Sequence, residues 1–201
     1  MYEYVYKTPE IIKAFKKIKR EDFLLPENKN KTEINEPLSI GHGQTISQPT
    51  TVAFMLELLQ PEAGDKILDV GSGSGWTTAL LAEIVGKRGK VYGIERILEL
   101  KNFGEQNVSK YNFIKKGRAI IIHGDGYAGL PEYAPFDKIL VSAAALEAPS
   151  KLLTQLKVKG RMVIPIGKQY ESQKVVLYRK ISKNKFKIEY FPGFVFVPLV
   201  N

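Results

Sequence analysis

The chain has 201 residues, 44% of them hydrophobic, with ten Phe, ten Tyr and no Cys, which suits one globular domain that buries roughly 70% of its unfolded surface. The missing cysteine excludes disulfides, thiolate metal sites and a Cys nucleophile, and two histidines, His42 and His123, are too few for a zinc site. The net charge of +9 is spread along the chain and reads as a lysine-rich solvated surface in preference to a nucleic-acid partner.

No apolar run approaches the ~18 residues that a membrane helix needs, and Met1-Tyr-Glu-Tyr-Val-Tyr-Lys7 lacks a basic-then-apolar leader pattern. A cytoplasmic monomer with no membrane partner is the expectation. In chain order, Thr8-Pro-Glu10 reads as a helix start with a hydroxyl cap, proline in the first turn and an acid beside the dipole. Ile11, Ile12, Phe15 and Ile18 continue it as an apolar stripe at helical spacing. Residues 26–37 read as a polar loop and 50–59 as a second helix. From residue 66 short apolar strands alternate with helices: strands at 66–70, 90–95, 119–122, 138–142 and 161–166, and helices at 76–85, 97–111 and 150–156. Such alternation predicts βαβ units, hence a doubly wound α/β parallel sheet with helices on both faces. Strands 174–181 and 186–196 have no helix between them and read as an antiparallel hairpin at the sheet's end. The expected organisation is one domain over 1–201, with a helical extension at 1–60 preceding the sheet at 61–201.

The stretch Lys66-Ile-Leu-Asp-Val-Gly-Ser-Gly-Ser-Gly75 runs from strand into a glycine turn. Ligands of doubly wound sheets bind outside the carboxyl ends of the strands, and glycine there lets backbone approach them closely. A dinucleotide fingerprint needs glycine where Trp76 stands, and the Lys of a Walker A loop is also absent. What remains is Asp-x-Gly-x-Gly-x-Gly, with Asp69 suited to a cationic tail and unsuited to a pyrophosphate. Glu95 ends the second strand, twenty residues after Gly75, where a carboxylate can accept from both hydroxyls of a ribose. Asp125 and Gly126 follow the third strand, with Asp125 in place for an adenine amino group. Trp76 reads as core, His42 as an exposed loop residue and His123 as packing only.

The glycine turn resembles the first motif of S-adenosylmethionine-dependent methyltransferases, which adds Gly71, Ser72, Gly73, Gly75 and Arg96 as cofactor contacts. Gly43-Gln-Thr-Ile-Ser-Gln-Pro49, Gly124-Asp-Gly126 and Phe196-Val-Pro-Leu199 narrow the resemblance, together with Arg20-Glu-Asp-Phe23, Pro135-Phe-Asp-Lys-Ile-Leu-Val141 and Gly160-Arg-Met-Val-Ile-Pro-Ile-Gly167. With these segments the chain resembles the protein-L-isoaspartate (D-aspartate) O-methyltransferase family from about Thr8 to Leu199. The resemblance implies a class I methyltransferase sheet and S-adenosyl-L-methionine, with no metal. It implies transfer to the α-carboxyl of L-isoaspartyl residues in damaged proteins, which starts repair through a succinimide. It also implies Thr45 and Ser47 at the substrate, with Ser47 orienting the carboxylate; without it, Ser47 reads as a helix cap. Thr50-Thr51 and residues 28–36 depart from the family's pattern where substrate should bind. Two alternatives remain: an RNA methyltransferase on the same scaffold, suggested by the charge, and a degenerate cofactor-binding module.

Overall fold

The computed structural model describes residues 7–169 and 171–200; Met1–Tyr6, on which the leader reading rests, lie outside them. Helix α1 spans Pro9–Lys17. Thr8 occupies its cap position, but the hydroxyl does not cap: Oγ1 donates to Glu57 Oε2 at 2.7 Å. Within the polar loop, Pro26–Lys31 forms a 3-10 turn. Residues 38–46, for which the sequence suggested no strand, make a hairpin of β1 (Leu38–Gly41) and β2 (Gln44–Ile46). Its tip is Gly41-His42-Gly43, all three at positive φ, and strands this short carry too little alternation to be read in advance. Helix α2 follows at Pro49–Leu59.

The main sheet then begins with β3 (Lys66–Val70), α3 (Trp76–Val85), β4 (Lys90–Glu95) and α4 (Leu98–Ser109). It continues with β5 (Ala119–His123), β6 (Phe136–Val141), α5 (Ser150–Gln155) and β7 (Leu156–Ile166). It closes with β8 (Gln173–Ser182) and β9 (Lys185–Phe194). Strand order is β5-β4-β3-β6-β7-β8-β9. Strands β3 to β7 are parallel, while β8 and β9 turn back as the expected antiparallel pair. Strand β7 begins five residues before the 161 read from sequence, because it crosses an irregularity near Lys159, at φ 70.

Side chains alternate across the sheet, as the strand period requires. Ile67, Val91, Ile121, Leu140, Val163 and Val175 face one way, packed with α1 to α4. Leu68, Ile94, Ile139, Met162, Ile164 and Val176 face the other, covered by Leu152 of α5 and by Leu130. Helices do lie on both faces, but unequally. No helix joins β5 to β6; the short 3-10 turn Pro131–Tyr133 stands there instead. The chain winds outward from β3 in one direction and from β6 in the other, so the crevice between their carboxyl ends is the topological switch point. That places the site.

Candidate active site

The turn leaving β3 is locked to β4, since Gly71 N and Ser72 N both donate to Ile94 O, at 2.9 and 3.2 Å. Gly75 sits at φ 86, and a Cβ there would lie 2.8 Å from Gly104 O of α4. The closeness is mutual, because a Cβ on Gly104 would lie 2.6 Å from Gly73 O. Backbone therefore packs on backbone, with Asn107 Nδ2 donating to Ser74 O at 3.1 Å.

Asp69 is fully buried beneath this turn. Its Oδ2 accepts from Thr78 Oγ1 at 2.6 Å and Thr77 Oγ1 at 2.8 Å, while Oδ1 has no hydrogen-bond partner. Burial pushes its pKa up to about 6, against the lowering pull of the two threonine hydroxyls, and the charge of Glu95 adds to the rise. Glu95 is held differently: Oε2 accepts from Gly73 N and Oε1 from Ile97 N, each at 3.0 Å. Two amides fix the carboxylate in orientation, and the remaining lone pairs are free for a ligand.

Glu95 opens onto a cleft that encloses roughly 820 Å³, its mouth included, lined also by Gly71, Ser72, Gly73, Arg96 and Gly126. Thr45 and Ser47 close one end of it. Both residues also line a second cleft of roughly 940 Å³, bounded by Pro37, Thr51, Gln169 and Val195 to Pro198. Ser142, Val197 and Pro198 are likewise common to both. Two cavities thus meet at one wall, an arrangement suited to a donor on one side and an acceptor on the other.

Most residues singled out from the sequence line these clefts; Asp69, Gly75 and Asp125 do not, Gly75 facing α4 instead, and His123 and Ser47 differ in role. Asp69 lies under the turn and does not form part of the cavity wall. Asp125 is exposed, and its Oδ1 accepts from Tyr127 N at 2.8 Å; its neighbour Gly126 lines the cleft. His123 does more than pack: its ring is exposed, and Nε2 donates to Arg96 O at 2.9 Å. His42 is an exposed hairpin residue, as read. Trp76 is buried in the core, edge-on to Phe15 at 5.6 Å, although it also reaches the cleft wall. Ser47 caps nothing; the cap position of α2 belongs to Gln48, and Asn35 Oδ1 accepts from Thr50 N at 3.1 Å.

Sequence reasoning missed Gly104, Ser142 and Gln173. Gln173 is fully buried, its Oε1 accepts from Phe196 N at 2.7 Å, and Nε2 donates to Lys168 O at 3.2 Å. It thereby holds the C-terminal segment against the site, where Ala144 N donates to Val197 O and Leu199 N to Ala144 O, at 2.8 and 2.7 Å. A glycine inside a helix was the one advance signal for Gly104, since it costs about 1 kcal/mol against alanine unless packing requires it.

The family described as protein-L-isoaspartate(D-aspartate) O-methyltransferase matches residues 2–201. The chain belongs to this family. It is 40% identical to the Staphylothermus marinus protein-L-isoaspartate O-methyltransferase over 98% of its own length and 88% of that protein. It is 41% identical to the Thermococcus onnurineus protein of the same name, over 99% and 89% of the two chains. Among solved structures, a Plasmodium falciparum chain described as a protein-L-isoaspartate O-methyltransferase, in complex with S-adenosyl-L-homocysteine, superposes with a TM-score of 0.88. That pair is 27% identical, covering 98% of this chain and 93% of the other. The class I methyltransferase sheet is therefore the family's own fold, including the antiparallel end.

Proposed function

We propose that the first cleft holds S-adenosyl-L-methionine and the second an L-isoaspartyl side chain, with the methyl group passing across the wall at Ser47. As a member of its family, the chain is an S-adenosyl-L-methionine-dependent carboxyl methyltransferase. The residues present fit that cofactor. Glu95, pre-oriented by two amides, can accept from the ribose hydroxyls. Ser72 Oγ is buried at the wall without a partner, and Asp69 places negative charge under the turn for the cationic amino-acid end. Gly71, Gly73 and Gly126 line the cleft and let the backbone come close, Gly75 serves the turn by packing on α4, Arg96 also lines the cleft, and Asp125 adjoins it through Gly126.

Bound S-adenosyl-L-methionine supplies an electrophilic methyl group on a sulfonium. A free carboxyl, with a pKa near 4, is already an anion at neutral pH, so no general base is needed. The protein's task is in-line positioning, which can contribute several kcal/mol to the barrier. Ser47 donates a hydrogen bond that aims the carboxylate oxygen, and Thr45 supports it from the exposed side of the cleft. A carbon–oxygen bond forms as the carbon–sulfur bond breaks, leaving a methyl ester and S-adenosyl-L-homocysteine. The neighbouring backbone amide nitrogen of the peptide then displaces methanol from the ester to close a succinimide, and water reopens part of it as ordinary aspartate, which is the repair.

The observation that carries this reading is the shared wall of Thr45, Ser47, Ser142, Val197 and Pro198 between the two clefts. The family match favours it over an RNA methyltransferase or a degenerate binding module. We further propose a single-domain cytoplasmic monomer. One buried cluster runs from Ile11 to Phe196 and supports the single domain, and a chain without cysteine suits a reducing compartment.

The test is transfer of labelled methyl from S-adenosyl-L-methionine to a peptide containing L-isoaspartate, beside the same peptide with ordinary aspartate. Base-labile label on the isoaspartyl peptide alone is the expected outcome. Equal labelling of both, or label stable to base, would overturn the assignment.

A further inference from the structure

Arg20 lies far from both clefts in sequence, and its guanidinium is buried, with a residue exposure of 7%. Nη1 donates to Ile34 O at 2.8 Å and Thr32 O at 3.3 Å, and Nη2 donates to Glu36 O at 2.7 Å and Ser47 O at 3.3 Å. Four carbonyls from two separate segments thus converge on one side chain. Glu36 immediately precedes Pro37, a wall residue of the second cleft, and Ser47 lines both clefts. From the other side, Asn35 Oδ1 accepts from Thr50 N, which fastens the same loop to the start of α2. The guanidinium also lies 5.6 Å from the centre of the Trp76 ring, which pins the arrangement to the core.

We propose that Arg20 is a positioning residue for the acceptor side of the site. It fixes the 32–36 loop and the Ser47 backbone relative to each other, and so sets where Ser47 Oγ meets the carboxylate. The inference rests on the reading of Ser47 given above. A planar fork with five donors can serve four carbonyls, whereas an ammonium has three donors radiating from one point. Lysine at this position keeps the charge and loses the bracket. The loop it holds, 32–36, runs directly into Pro37 at the wall of the second cleft, so Arg20 also sets the rim that meets the peptide around the damaged residue.

The experiment compares Arg20→Lys, Asn35→Ala and Ser47→Ala, each with calorimetric cofactor affinity and steady-state kinetics on the isoaspartyl peptide. For Arg20→Lys, kcat/KM for the peptide lowered roughly 10-fold is expected with the cofactor Kd kept within about twofold. A general loss of structure would weaken both together, and that result, or no change in either, overturns the proposal. Should Arg20→Lys fail to fold, Asn35→Ala reads the same bracket from its other end, with the same criteria. Unchanged turnover in Ser47→Ala would instead sink the functional reading itself. Lost turnover in Ser47→Ala, with Arg20→Lys and Asn35→Ala like wild type, would overturn this inference alone.

Discussion

In the proposed mechanism Asp69 and Ser47 separate the two halves of the chemistry at the level of single side chains. The pKa of Asp69 rises from 3.8 to about 6 on burial, so the folded state binds its proton more tightly than the unfolded chain does. Its contribution to folding is fully present below about pH 3.8 and is lost as pH rises through about 6, a swing on the order of 3 kcal/mol. Replacing it with asparagine removes the titration. Denaturant unfolding of the protein without cofactor at pH 4 and pH 7 is therefore expected to show Asp69→Asn gaining on wild type by roughly that amount at the higher pH. The same substitution weakens cofactor binding at pH 7, because the buried charge that destabilises the fold attracts the cationic tail. A flat difference between the two pH values would place the titration elsewhere. Ser47→Ala has the opposite profile: cofactor affinity is retained and turnover falls roughly 10- to 100-fold, the worth of one charge-assisted hydrogen bond. Parallel cofactor loss in both variants would refute this division. Asp69 could be named from the sequence because an acid at a strand end is a local pattern. Its place beneath the turn could not, because that depends on Thr77 and Thr78 of the following helix.

Between elements, the decisive contact is the one between the glycine turn and α4. Alanine is the better helix former by about 1 kcal/mol, so Gly104→Ala should stabilise an isolated α4. In the folded protein the added Cβ would meet Gly73 O at 2.6 Å, and the turn or the helix must shift. Thermal unfolding is expected to show a net loss of about 1–3 kcal/mol, accompanied by weaker cofactor binding, since Gly73 N holds Glu95. A variant as stable as wild type would mean that α4 can move away freely. Strands β3 and β4 and helix α3 were legible residue for residue, because strand and helix signals there are strong and local. The β1–β2 hairpin was not, since its three- and four-residue strands are stabilised by long-range packing of Ile40 and Ile46 into the core.

For the molecule as a whole, the charge of +9 raises the question of polyanions. Seven basic residues against two acidic lie within 168–190, mostly on β8 and the edge strand β9. Lys185 and Lys187 lie on that edge, where lysines discourage pairing with other chains, and the buried Lys180 donates to Leu153 O and Leu156 O, so these have a role without a nucleic acid. Non-specific binding to RNA then falls steeply with salt, with Kd values of about 10⁻⁴–10⁻⁶ M at physiological ionic strength. Peptide methylation at 150 mM salt, chosen as about that strength, is expected to be unaffected by RNA at submicromolar concentration. Strong inhibition there would point to a built nucleic-acid surface.

The sequence by itself determined the strand–turn–helix unit that receives the cofactor, the alternation that makes the sheet, and the family. Each is encoded locally, in glycine backbone freedom, in apolar periodicity and in acids at set distances from a turn. Only the tertiary structure decided how the second cleft, proposed for the acceptor, is walled around Thr45 and Ser47, which the resemblance had named. Its wall is assembled from residues near 37, 47, 142, 169 and 197 and braced by Arg20 and Gln173. No spacing rule links positions so far apart; burial of the sheet brings them together, and buried side-chain hydrogen bonds to backbone hold them there.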